Sequence, residues 1–206
     1  MKISVITPTA GSRGGLLNLL IDSLALFLKP GDEHIVVWDT PHDKIDSHSS
    51  QFTRHFHYNE PGSTFGNAQR DFAVRQARGD CLVWCDDDDL LCNAGIEKLH
   101  SLPPEPGKAH VFTMLYPGSI AFLRALPAGV RPGRIGGPQL VMPRGPLVPR
   151  WMDNNTYMAD WHVIKQAVTR FQFEFHPQLV LPMVRPFDNY LPPECKMEDD
   201  PLKDIL

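Results

Sequence analysis

Five apolar residues, Cys81-Leu-Val-Trp-Cys85, run without interruption into four carboxylates, Asp86-Asp-Asp-Asp89. A short unbroken apolar run bounded by turn signals is the pattern of a strand buried on both faces, as in a parallel sheet covered by helices. Parallel strands need crossover connections, and the chain supplies them. Ile3-Ser-Val-Ile6 is a β-branched strand ending at Thr7-Pro8-Thr9. After a Gly-rich turn, Leu16, Leu17, Leu20, Leu24, Phe27 and Leu28 recur at helical spacing, and Lys29-Pro30-Gly31 stops the helix. Ile35-Val-Val-Trp38 is a second strand, ending at Asp39. Strand, helix and strand in this order predict an α/β fold with a mixed, mostly parallel central sheet flanked by helices.

The remaining pattern extends that plan. An edge strand is expected at Phe56 to Tyr58, and a helix from Asn67 to Arg78 closed by Gly79 as its C-terminal cap. A helix over Asn93 to Leu102 and a strand from Val111 to Tyr116 follow. Then come a strand at Gln139 to Met142, a helix from Tyr157 to Phe171 and a strand within Gln178 to Val184. With 206 residues, 42% of them hydrophobic, the chain can bury one sizeable core and is short for two. No repeat or long linker divides it, so 1–206 is expected to be one domain.

Compartment follows from what the residues exclude. No run of about 18 uninterrupted apolar residues exists, so no transmembrane helix is expected. The first strand begins at once, leaving no room for a signal peptide. Cys81, Cys85, Cys92 and Cys195 form no CxxC pair and read as buried reduced thiols, which points to the cytoplasm.

The formal charge of −4 hides a split. Between Pro106 and Met152 lie six cations, Lys108, Arg124, Arg131, Arg134, Arg144 and Arg150, and no acid. The same part of the chain, Pro103 to Pro149, holds ten of the 20 prolines. A solvated loop region accounts for such a stretch, and so does recognition of an anion, for which the fork of arginine is suited. Arg144, just after an expected strand, is the residue expected to face inward.

Four adjacent carboxylates can cap a helix. Their position favours another reading, because open α/β sheets bind ligands beyond the carboxyl ends of their strands. Crowded carboxylates repel, and a divalent cation that prefers oxygen relieves the repulsion. Magnesium or manganese held by one or two carboxylates keeps waters and bridges substrate phosphates.

Five segments in order, Ile3-Ser-Val-Ile-Thr-Pro-Thr9, Val36-Val-Trp-Asp39, Gly66-Asn-Ala-Gln-Arg70, Ala77-Arg-Gly-Asp80 and Trp84-Cys-Asp-Asp-Asp-Asp89, resemble the family 2 glycosyltransferases. The resemblance covers residues 3 to 102 and implies the GT-A, Rossmann-like nucleotide-diphospho-sugar transferase fold. It implies a metal-dependent, inverting enzyme that moves a sugar from a nucleotide-diphosphate donor, foremost a UDP-sugar, to a hydroxyl acceptor. Residues 1–102 would form the donor half, 103–185 the acceptor half with the basic Pro-rich segment, and 186–206 an acidic C-terminal arm. Pro8 and Thr9 would lie along the nucleotide and Asp39 would bind its base. Arg70 would hold the nucleotide portion, Asp86 and Asp87 would belong to the donor site, and Asp88 would be the direct ligand of Mn2+ or Mg2+. Asp86 and Asp88 match the two acids of the DXD motif, and Asp89 extends it. Ala10 and Gly11, Trp38 and Asp71 depart from the family pattern, and the metal site is intact.

Met158-Ala-Asp-Trp-His162 resembles the family's late acidic motif, with Ala159 in place of a glutamate. That resemblance makes Asp160 the catalytic base, with Asp153 as runner-up, and burial beside Trp161 would raise its pKa. His162 and His176 have structural readings beside ligand or acceptor roles, and Glu174 reads as surface. The acceptor is open. An anionic acceptor suits the basic segment, and its sharpest form is a hydroxylated base flipped out of DNA. Two further alternatives share the fold. One is a sugar nucleotidyltransferase, suggested by Gly11-Ser-Arg-Gly-Gly15. The other is a noncatalytic binding module.

Overall fold

The computed structural model describes residues 1–10, 14–39, 48–58, 66–115, 124–151 and 159–184. The first elements are β1 (Ile3–Thr9), α1 (Gly14–Phe27), β2 (Glu33–Trp38), β3 (Thr53–His57), α2 (Asn67–Gln76) and β4 (Cys81–Trp84). Then follow β5 (Asp89–Leu91), α3 (Asn93–Ser101), β6 (Lys108–Leu115), β7 (Leu140–Pro143), α4 (Ala159–Arg170) and β8 (Gln172–Val184). The strands form one sheet in the order β3-β2-β1-β4-β7-β6-β8-β5. β1 pairs in parallel with both β2 and β4, β2 with β3, and β6 with β8. β7 runs antiparallel between β4 and β6, and β5 runs antiparallel to β8. The expected mixed, mostly parallel sheet is therefore what the chain builds.

Side chains alternate between the two faces, and both faces are covered, which explains why the central strands carry apolar residues at consecutive positions. On one face Ile3, Val5, Cys81, Val83 and Cys85 pack against Leu20 and Leu24 of α1 and Ile96 and Leu99 of α3. On the other, Ile6, Ile35, Leu82 and Trp84 meet Ala73 of α2 and Val163, Ile164 and Ala167 of α4. Every residue of β1, β2 and β4 is buried. Polar chemistry can leave this core only at the strand ends. Cys81, Cys85 and Cys92 are buried, and burial pushes the Cys81 thiol up to about 12. Among the described residues, no helix is long and apolar enough to cross a membrane.

Three expectations are corrected. The helix from Asn67 ends at Gln76, and Ala77 is already extended, so Gly79 is not its cap. Gly79 is instead demanded by close approach: a Cβ there would lie 2.7 Å from both the Ser4 nitrogen and its Oγ. The last strand starts at Gln172 rather than within 178–184, because Pro177 is accommodated at an irregularity of the ladder instead of ending it. Arg144 does not face the carboxyl ends of the strands. Its backbone N–H donates to Asp80 O at 2.8 Å and its Nε donates to Gly79 O at 2.7 Å, just before β4 begins. Lys108, at the start of β6, pairs with Glu105 and Glu174. Lys108 and Arg144 thus both stand at the amino edge, each engaged by neighbouring groups of the chain. Asp153, most of residues 40–64 and the 186–206 arm lie outside the described residues.

Replacing Gly79 by alanine forces β1 away from the turn before β4, at a cost of about 1–3 kcal/mol for an overpacked site. Gly107→Ala, where a Cβ meets nothing within 4 Å, should stay within about 0.5 kcal/mol of the parent. Urea denaturation of the two variants checks this, and equal midpoints would refute the close-approach role.

Candidate active site

β1, β2 and β4 run in the same direction, so Thr9, Asp39 and Asp86 emerge on one edge of the sheet. The Asp39 N–H donates to Thr9 O at 3.1 Å, continuing the ladder past β2. Asp39 is exposed at this point, and partial burial of its carboxyl holds its pKa above the usual aspartate value.

The aspartate run is a turn, not a helix start. The Asp89 N–H donates to Asp86 O at 3.1 Å, and Asp89 then opens β5 opposite Val184. Asp87 and Asp89 are buried while Asp86 and Asp88 are half-buried. The alternation turns the first and third carboxylates toward the open edge. Asp87 Oδ2 accepts the Thr9 hydroxyl at 2.7 Å, so the inward aspartate fastens the end of β1 to the turn. Arg70, on α2, forms an ion pair with Asp86.

Arg70 is placed by three neighbours. Gly66, immediately before α2, has φ of 71°, and a Cβ there would lie 2.5 Å from Pro8 Cβ. Only glycine lets α2 approach the end of β1 in this backbone conformation. The Arg70 guanidinium lies over the Trp151 ring, 4.6 Å from its centroid. Trp151 is held in turn by its backbone N–H, which donates to Asp71 Oδ1 at 2.8 Å, and by an edge-on contact with Trp84. Asn67, the first residue of α2, is buried with neither amide atom hydrogen-bonded. Such an amide is suited to a ligand group.

Asp160 begins α4 and reaches the same place. Its Oδ2 accepts the Gly137 N–H at 3.0 Å. A Cβ on Gly137 would lie 2.7 Å from Trp151 Cη2 and 3.1 Å from Asp160 Oδ1, so glycine is required to seat the carboxylate against the indole. Burial raises the pKa of Asp160. The Arg70 charge and the Gly137 N–H pull it down, Asp86 pushes it up again, and the sum is a raised value. These influences place Asp160 within electrostatic reach of both members of the Arg70–Asp86 pair.

No protein-family model and no curated protein sequence matches the chain. Solved structures match its architecture. S. aureus TarS 1–349 superposes with a TM-score of 0.68 at 16% identity, over 89% of this chain and 60% of that one. Its complex with UDP-GlcNAc gives 0.65 at 16%, over 92% and 60%. The mannosyltransferase PcManGT from Pyrobaculum calidifontis, in complex with GDP-Man and Mn2+, gives 0.62 at 17%, over 92% and 58%. The chain has the GT-A fold. It spans about 60% of the length of these three structures.

Within this GT-A fold, Pro8, Thr9, Asp39, Arg70, Asp86, Asp87, Asp88 and Asp160 all stand at the same edge of the sheet or at a loop against it. His162 lies on α4 two residues after Asp160, and His176 lies on β8 beside His110. Asn67, Gly137 and Trp151 are additions. The Gly66-Asn-Ala-Gln-Arg70 segment drew attention to α2 without marking Asn67, and nothing local marks Trp151.

A carboxyl whose pKa is raised on folding binds its proton more tightly in the folded state than in the unfolded chain. Ionised Asp160 therefore costs stability once pH exceeds its unfolded pKa, and the cost is complete above the folded pKa. Asp160→Asn removes that cost. Its melting temperature at pH 7.5 should equal or exceed that of the parent, and the difference should vanish toward pH 3. A lower melting temperature at neutral pH would show that the carboxylate stabilises the fold.

Proposed function

We propose that the chain is a metal-dependent, inverting glycosyltransferase that moves a sugar from a nucleotide-diphosphate donor to a hydroxyl acceptor. The observation that supports this most directly is the meeting of Arg70, Asp86 and Asp160 at the carboxyl edge of a GT-A sheet. The TarS fragment binds UDP-GlcNAc and UDP, and PcManGT binds GDP-Man with Mn2+. UDP-sugars and then GDP-sugars are accordingly the donors to test first. In this reading residues 1–102 bind donor and 103–185 form the acceptor side. The buried thiols Cys81, Cys85 and Cys92 suit the reducing cytoplasm.

Asp39 receives the nucleotide base, while Pro8 and Thr9 form the wall along the nucleoside. Asp87 acts through Thr9, which it fixes. Arg70 faces the diphosphate, for which its fork is suited. Asp86 and Asp88, the two outward carboxylates of the turn, fit a hard cation that needs only one or two protein oxygens, and they would hold Mn2+ or Mg2+. When bound, that ion supplies positive charge at the diphosphate. Asp160 accepts the proton of the acceptor hydroxyl. The acceptor oxygen then bonds to the anomeric carbon from the face opposite the leaving group. The bond from that carbon to the diphosphate oxygen breaks, and its electron pair leaves with the nucleoside diphosphate. One displacement inverts the configuration. Asp160 must be ionised for this, so the acid limb of kcat should lie above the ordinary aspartate pKa.

Calorimetry with UDP and GDP, with and without Mn2+, tests donor binding. Hydrolysis of the matching nucleotide sugars then tests turnover without an acceptor. Asp88→Ala should lose metal-dependent binding. Asp160→Asn should keep binding and lose about 10²–10⁴ in kcat, the usual contribution of a general base. Absence of nucleotide binding in the presence of Mn2+ overturns the reading, and equal loss of binding in both variants overturns the division of roles.

A further inference from the structure

The sheet carries a second chemical cluster, far along the order from β1 and near the start of β6 rather than its end. β6 and β8 run parallel with His110 opposite Glu174 and Phe112 opposite His176. Alternation puts all four side chains on one face. His110 Nδ1 lies 3.1 Å from His176 Nε2, and His176 Nε2 lies 3.7 Å from Glu174 Oε1. One ligand atom from each of the three residues falls within 4.8 Å of the others.

We propose that His110, Glu174 and His176 form a binding site for a transition-metal ion of the zinc class, separate from the Asp86–Asp88 turn. The spacing is the first argument. Ligands at about 2.0–2.1 Å from a tetrahedral zinc are about 3.4 Å apart, which is within a few tenths of an ångström of the separation between the two ring nitrogens. Donor chemistry is the second. Two imidazoles and one carboxylate suit zinc, whereas an all-oxygen set suits magnesium and calcium. Preorganisation is the third: the Phe112 ring stacks on His176 at 4.6 Å and 23°, fixing the plane of the imidazole.

The surroundings are consistent with an ion that enters from one side. His110 and His176 are buried, while the Glu174 side chain is 39% exposed and forms the solvent face of the cluster. Burial, then the neighbouring His176, holds His110 down to about 4, so it is neutral at physiological pH as a metal ligand must be. Lys108 Nζ lies 3.2 Å from Glu174 Oε2 and 3.0 Å from Glu105 Oε1, and Lys98 of α3 acts on His176. An incoming cation would replace Lys108 at Glu174 and leave that lysine to Glu105. The site also has a structural purpose. Immediately after the Phe112–His176 pair the register jumps, so that Thr113 faces Val180. A metal bridge would hold β8 to β6 at the last regular rung.

The test uses the full chain, dialysed against chelator and then titrated with Zn2+ or Co2+ without nucleotide. We expect one tetrahedral equivalent to bind, with Co2+ giving the intense visible absorption of such a site, and Zn2+ to raise the melting temperature. Asp88→Ala, which removes a ligand of the other proposed cation site, should leave the tetrahedral cobalt spectrum and its affinity unchanged. His176→Gln should abolish the cobalt spectrum, and the more exposed Glu174→Gln, whose fold is at less risk, should weaken binding about tenfold or more. Wild-type protein that shows no tetrahedral cobalt spectrum, or one retained at equal affinity in Glu174→Gln, overturns the proposal. Because no donor or acceptor enters the measurement, its failure leaves the glycosyltransferase reading untouched.

Discussion

Two like charges 4 Å apart repel by about 1 kcal/mol in water and by about four times that near a protein surface. Four adjacent carboxylates at the end of a fully buried strand therefore have to be separated, and the loops around β4 are arranged to separate them. Asp86 is matched by Arg70, Asp87 is tied to the Thr9 hydroxyl, and Asp89 enters the β5 ladder. Each solution recruits a different part of the chain. Arg70 requires α2 to start against Pro8, which requires Gly66. Thr9 requires β1 to end beside the turn. The β5 pairing carries the chain across the sheet to β8. Accommodating one acidic turn thus positions most of the edge on which the candidate site lies.

Local chemistry made much of this legible in the sequence. The apolar runs marked β1, β2 and β4, the leucine spacing marked α1, and Asp160 stood at the start of an amphipathic segment. What escaped shares one cause: it depends on contacts distant in sequence. Gly79 looked like a cap because it follows a helix, yet its reason is Ser4, on a neighbouring strand. Trp151 gave no sign that it would stack on Arg70 from across the fold. The first half of β8, ahead of Pro177, becomes a strand only through its pairing with β6, in a ladder whose register shifts at the proline. His110 and Glu174 are 64 positions apart, and only the parallel pairing of β6 with β8 makes them neighbours.

Charge along the chain proved a poor guide to charge in space for the same reason. Lys108 sits at the start of β6 with two glutamates, and Arg144 spans the backbone before β4. Because β7 runs antiparallel to both β4 and β6, these two cations stand at the amino edge, away from the aspartate turn. Asp39, Arg70, Asp86 and Asp160, spread over 122 positions, converge on one edge, because parallel strands deliver their ends together.

The two edges of the sheet treat buried carboxylates in opposite ways. At the amino edge Asp32 accepts from the Ile3 N–H at 2.8 Å and the Lys29 N–H at 2.7 Å, and contacts His100 at 2.7 Å. Glu33 pairs with Arg54 and accepts from Ser4. Burial opposes its charge, but the hydrogen bonds from Arg54, the Arg78 N–H and Ser4 prevail and hold its pKa below the usual value. Asp160, at the carboxyl edge, has one backbone donor, Gly137, among the described residues, and burial prevails instead. A carboxylate with a lowered pKa adds stability at neutral pH, and one with a raised pKa subtracts from it. Asn67 on the same edge leaves a whole amide unsatisfied, and Gly66 holds a left-handed backbone. At the amino edge Asp32 and Glu33 are thus satisfied by donors from several elements, while at the carboxyl edge Asp160 and Asn67 are polar groups whose burial reduces stability. Stability alone gives no reason to gather them in one place, whereas a site that must bind and deprotonate a ligand does.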